Sequence, residues 1–138
     1  MKPKSKISYE NEKTICNIEY NGKIFSGIAI CHPNDLDMQS RYTGAYIAET
    51  RATITLAKHI KDNEIKPAIN AMKKLLNSME QSNKYERNSI ERVRKELKSY
   101  QKDLTFFNKV IKINKQDLYL YIKGKEELYQ KIRKSKNS

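Results

Sequence analysis

A chain of 138 residues with 28 Lys and Arg against 16 Asp and Glu carries a formal charge of +12, and 38% of it is hydrophobic. That length allows one domain, or one small domain with a helical extension, and that apolar share excludes a large dry interior. Nine Tyr and no Trp suit amphipathic surfaces, and the basic excess calls for an anionic partner: nucleic acid, a nucleotide or an acidic surface.

In chain order, residues 1–6 read as a basic tail, and Ile7 to Glu12 as a polar stretch compatible with a short edge strand. Thr14 to Tyr20 reads as a strand with Cys16, Ile18 and Tyr20 on one face. Asn21-Gly22 is a strong hairpin signal, because a type I′ turn needs positive φ at both central residues. Lys23 to Cys31 is then the return strand, with Ile24, Ile28 and Ile30 on one side and Phe25, Ala29 and Cys31 on the other. Gly27 marks either a bulge or a close backbone approach. A lone hairpin is marginal, so this one must pack on a helix or pair with further strands.

The segment Cys31-His-Pro-Asn-Asp-Leu-Asp37 divides the strands from the helices. Pro33 holds its own φ and keeps His32 out of the α region. Asp37 is the expected cap of a helix running from about Met38 to about Lys61. Gly44, Ala48 and Ala52 recur every four residues and form a ridge of small side chains, on which another backbone, most simply the hairpin, can come close. Tyr42, Tyr46, Ile47, Ile54, Leu56 and Ile60 supply bulk on either side. Arg51 has two readings: part of a helix packed plainly on a sheet, or a buried anchor for a carboxylate or phosphate.

Asp62-Asn63 is expected to interrupt the helix, and Pro67 suits the first turn of a new one. Ile65, Ile69, Met72, Leu76 and Met79 make a heptad seam. After a turn at residues 81–84, Ile90, Val93, Leu97, Tyr100, Leu104, Phe107 and Ile111 repeat it, so the two helices should form an antiparallel hairpin, coiled-coil-like or shared between subunits. Arg87, Arg92, Arg94, Lys95 and Lys98 make a basic face interleaved with Glu86, Glu91 and Glu96. That pattern fits a salt-bridged surface, and it could also track a nucleic-acid backbone.

Beyond Asn108 the reading forks. Asn114 and Asp117 could cap another helix, or residues 109–113 and 117–123 could form a second short hairpin. The alternation of Leu118, Leu120 and Ile122 with Tyr119 and Tyr121 favours the hairpin. A helix resumes after Lys125, with Leu128 and Ile132 apolar. The expected fold is therefore α+β in a single domain: a small N-terminal antiparallel sheet on one helix (7–62), a helical hairpin (63–112) and a C-terminal strand or helix segment (113–138).

Two sets of side chains stand out as ligand contacts. Tyr119 and Tyr121 with Lys123-Gly124-Lys125 offer rings for stacking and lysines for phosphate, although no Walker pattern is present. The plainer reading is a half-buried strand ending in a solvated turn. Phe106, Tyr129, Lys131 and Arg133 are the second set. Phe106 lies beside Phe107 but off the seam, so one ring is spare for the sheet or for a ligand.

No spacing links a nucleophile, a base and an orienting group, which argues against an enzyme, and no cofactor or metal is expected. His32 and His59 make no metal cluster, and Cys16 and Cys31 are better read as reduced and buried than as a disulfide. Without a signal-like apolar run or a membrane-length segment, the protein is expected to be soluble and cytosolic.

The run Gly27-Ile-Ala-Ile-Cys31-His-Pro-Asn-Asp-Leu-Asp37, followed by Gly44, Ala48, Arg51 and Ala52, resembles a recurrent pattern of small phage proteins. Among these it is similar to the first-described type of phage anti-Thoeris sponge proteins, over roughly residues 14–55. The resemblance implies a non-enzymatic homo-oligomer. Such proteins sequester cyclic ADP-ribose isomers (gcADPR among them) made by TIR-domain defence proteins, so that the effector stays inactive. Some members also bind cyclic oligonucleotides. Family ligand contacts lie largely in the helical part beyond the matched motif, so none is transferred by position. The alternative is a basic phage nucleic-acid-binding protein.

Overall fold

The computed structural model describes residues 2–30, 41–82 and 84–136. They form three strands, β1 (Lys4–Glu10), β2 (Lys13–Tyr20) and β3 (Lys23–Ile30), then three helices, α1 (Arg41–Ile60), α2 (Lys66–Gln81) and α3 (Arg87–Lys136). A π-helical turn, Lys61–Ile65, joins α1 to α2. The fold is α+β, with an N-terminal antiparallel sheet and a helical remainder. The chain divides into two compact units: Met1–Leu56 with Lys112–Ser138, and Ala57–Ile111.

In the first unit the sheet order is β1-β2-β3, antiparallel throughout. Asn21 and Gly22 have φ of +49° and +75°, the pair of positive values that a type I′ turn demands. The stretch expected to begin as a mobile tail is strand from Lys4 onward. Its register explains why: Ser5, Ile7 and Tyr9 pair with Ile18, Cys16 and Thr14 and share their face, so an edge strand with one apolar residue in two suffices. Cys16 is a free, buried thiol.

Helix α1 lies on that inner face, and its ridge of small residues is what lets it. Ala48 and Ala52 are both 0% exposed. A Cβ added to Gly27 of β3 would run into the Ala48 carbonyl oxygen and the Ala52 amide nitrogen, and one added to Gly44 of α1 would strike Thr14 Oγ1. Backbone therefore packs on backbone at Gly27 and on the Thr14 side chain at Gly44, with Cys16, Ile18, Ala29 and Ile54 buried in the same unit. Tyr42, expected to add bulk to this packing, is exposed. The expected Asp37 cap, with Pro33, His32 and Cys31, lies outside the described residues.

The structure decides the fork beyond Asn108: residues 109–123 are helix, inside the unbroken α3. The two-residue alternation misled because Tyr119 and Leu120 are both exposed, while the less exposed positions Ile111, Asn114, Leu118, Tyr121, Ile122, Lys125 and Tyr129 recur at helical spacing.

In the second unit the seam positions of α2 and α3 are the buried or half-buried ones, from Ile65 to Met79 and from Ile90 to Ile111. The break expected at Asp62-Asn63 does not occur. Helix continues through the π turn, where the Lys66 N–H donates to the Lys61 carbonyl. A π turn adds one residue to the helical circuit, and Pro67, which has no N–H to donate, stands two residues beyond its end. Asn63 Nδ2 donates to the His59 carbonyl at 3.2 Å, and Lys66 pairs with Asp62 at 3.3 Å. Arg94 of α3 bonds Glu80 of α2 at 2.7 Å and, within its own helix, Glu91 at 2.6 Å. Those two hydrogen bonds hold the guanidinium above its usual pKa range.

Candidate functional site

Two residues along a helix are about 200° apart, so α3 separates the tyrosines that a strand would have put on one face. Tyr119 is 64% exposed. Tyr121 turns inward, its ring 4.3 Å from that of Tyr46 at an interplanar angle of 43°, and its hydroxyl lies 3.4 Å from Thr43 Oγ1. Tyr46 and Thr43 are three apart on α1, so both reach the same neighbour. Lys125, one turn beyond Tyr121, holds its ammonium 5.5 Å from the centre of that ring. Nearby in the chain, the Arg41 guanidinium stands 4.7 Å from the centre of the Tyr9 ring.

This cluster joins aromatic faces, hydroxyls and a cation. Such groups can stack on a base and donate to an anion. Sequence reasoning found Tyr121 and Lys125 but missed Tyr46 and Thr43 as their partners. Thr43 and Tyr121 lie 78 residues apart, and no local spacing announces such a contact.

The other expected contacts fall elsewhere. Lys123 is exposed, and Gly124 has open space where its Cβ would be. Both lie inside α3, so no helix begins there to present free N–H groups to phosphate. Arg133 and Lys131 are exposed on the same helix, and Tyr129 is buried. Phe106, in the second unit, is 60% exposed and meets Phe107 edge-on at 5.5 Å. Arg51 is not a buried anchor: it is exposed, and its Nη1 donates to the Ile28 carbonyl at 2.6 Å. Arg87, Arg92, Lys95 and Lys98 are exposed, whereas Arg94 is engaged by its two glutamates.

One groove was not legible in the sequence. Between β1, β2 and the outer flank of α1 lies a groove of about 400 Å³. Cys16 and Ile18 contribute to its lining, with Ser5 from β1 and Glu49, Thr53 and Leu56 from α1. Burial, and then the Glu49 carboxylate, push the Cys16 thiol above its ordinary pKa, so it is a poor nucleophile. No helix among the described residues is long and apolar enough to cross a membrane. Comparison with known protein families, curated proteins and solved structures returned no match.

Proposed function

We propose that this protein captures an anionic cyclic nucleotide signal of the cyclic ADP-ribose class and holds it unaltered, keeping it from a Thoeris effector. The observation that supports this reading is the Tyr46–Tyr121 ring pair with Lys125 beside it and the Thr43 hydroxyl within reach. Aromatic faces suit an adenine, and an ammonium with hydroxyls suits a pyrophosphate and two riboses. The +12 charge speeds encounter with an anion. The resemblance over residues 14–55 supplies the identity of the signal.

Nanomolar capture requires about −12 kcal/mol. One exposed ion pair supplies at most about 1 kcal/mol, so the ligand must be enclosed. Self-association provides that enclosure in this reading, and no bond of the ligand is made or broken. Calorimetry with purified cyclic ADP-ribose isomers is the test. Binding with intact ligand recovered after heat denaturation is expected. Absence of heat at micromolar protein rejects the capture reading, and recovered product would make the protein an enzyme.

The nucleic-acid reading draws on the solvent-facing Arg87, Arg92, Lys95 and Lys98 of α3. It predicts binding across many sequences that weakens steeply with salt. The capture reading predicts a shallow salt dependence and no gel shift.

A further inference from the structure

The sheet has two edges, and they are not equivalent. In a hairpin closed by a two-residue turn the flanking pair is hydrogen-bonded, and bonded and non-bonded pairs alternate from there. Counting from Tyr20↔Lys23, the Ile15↔Ile28 pair is non-bonded, so the N–H and C=O of Ile28 point away from β2. Arg51 reaches that carbonyl, which blunts the β3 edge. Counting from Glu10↔Lys13 in the same way, Ser5, Ile7 and Tyr9 of β1 direct their N–H and C=O groups outward. Among the described residues nothing is recorded bonding to these groups.

The groove opens beside this strand. The small Ser5, paired with Ile18, leaves it open at the β1 end, with apolar Ile18 and Leu56 lining it. Glu49 is the one charged residue among those lining it, and among the described residues no cation pairs with it. The opposite face of β1 carries Lys4 and Lys6.

We propose that the β1 edge is a docking site for an extended peptide of a partner protein, added as a fourth strand. Main-chain bonds to Ser5, Ile7 and Tyr9 supply affinity, and alternate side chains supply specificity. Apolar side chains and one Lys or Arg face the groove, the cation against Glu49. Acidic side chains face Lys4 and Lys6. A second copy of β1 fits less well, because it would turn its own Ser5, Ile7 and Tyr9 toward the groove and bring no cation to Glu49.

The probe is a fluorescent ten-residue peptide alternating Glu with Val and bearing one Lys among the valine positions, followed by anisotropy and by amide hydrogen exchange. Binding with slowed exchange at Ser5, Ile7 and Tyr9 is expected. Ser5→Pro removes one outward donor while leaving the β1–β2 ladder intact, and Glu49→Lys reverses the groove's charge without touching the backbone. Each should weaken binding at least about tenfold, the order expected for losing one bond to a charged group or a strand donor. A peptide N-methylated at its bonding positions should not bind. No binding at millimolar peptide, equal binding of the N-methylated peptide, or exchange unchanged along β1 overturns the proposal. So does a concentration-dependent dimer that Ser5→Pro abolishes, which would assign the edge to a second copy.

Discussion

Gly27 of β3 faces Ala48 of α1 backbone to backbone, with the Ala48 carbonyl oxygen occupying the space a methyl group at residue 27 would need. The Arg51 Cβ is 2.9 Å from that same position. This contact seats α1 on the sheet, and everything the first unit offers as a site depends on where α1 lies.

Gly27→Ala should therefore cost about 3 kcal/mol, the upper end of what overpacking does when the obstacle is backbone and cannot rotate aside. Gly124→Ala should have the opposite sign. Its Cβ meets nothing within 4 Å, and replacing glycine inside a helix gains about 0.5–1 kcal/mol. Urea unfolding of the two variants, read against the parent, checks the pair together.

Tyr121 and Tyr119 should separate in the same experiment. Tyr121→Ala removes the ring against Tyr46 and should cost about 2 kcal/mol, together with capture of the nucleotide. Tyr119→Ala removes an exposed ring and should stay within about 0.5 kcal/mol. Equal losses would mean that residues 117–123 are not helical.

The Cys16 thiol gives a pH signature. Burial raises its pKa in the folded protein, so the folded state resists a thiolate that the unfolded chain accepts. Its contribution is complete below the ordinary thiol pKa and is lost as pH rises from there through the folded value. Stability should fall above about pH 8.5 by up to about 1.4 kcal/mol per pH unit from this group. Cys16→Ala should be less stable at neutral pH and should lose that alkaline slope. Mapped alkylation should label Cys16 at the rate of unfolding.

Arg51→Met should keep the fold, lose about 0.5–1 kcal/mol, and leave the Ile28 carbonyl open at the β3 edge. Faster concentration-dependent aggregation is the expected consequence, followed by light scattering at fixed ionic strength.

The sequence by itself determined the β2–β3 hairpin, the small-residue face of α1 and the two seams. Each rests on interactions within about seven residues: positive φ at Asn21-Gly22, and side chains at i+3 and i+4. Where local patterns tied, only the tertiary structure decided. Residues 109–123 alternate like a strand, yet Tyr121 and Tyr129 have the first unit to pack into, and the less exposed positions fall at helical spacing. Arg51, flanked by small residues, keeps two readings in the sequence until the β3 edge supplies it a carbonyl at the surface. The Tyr46–Tyr121–Lys125 cluster and the Glu49 groove join residues far apart in the chain. Their geometry follows from how closely two glycines let α1 approach the sheet, which no linear spacing records.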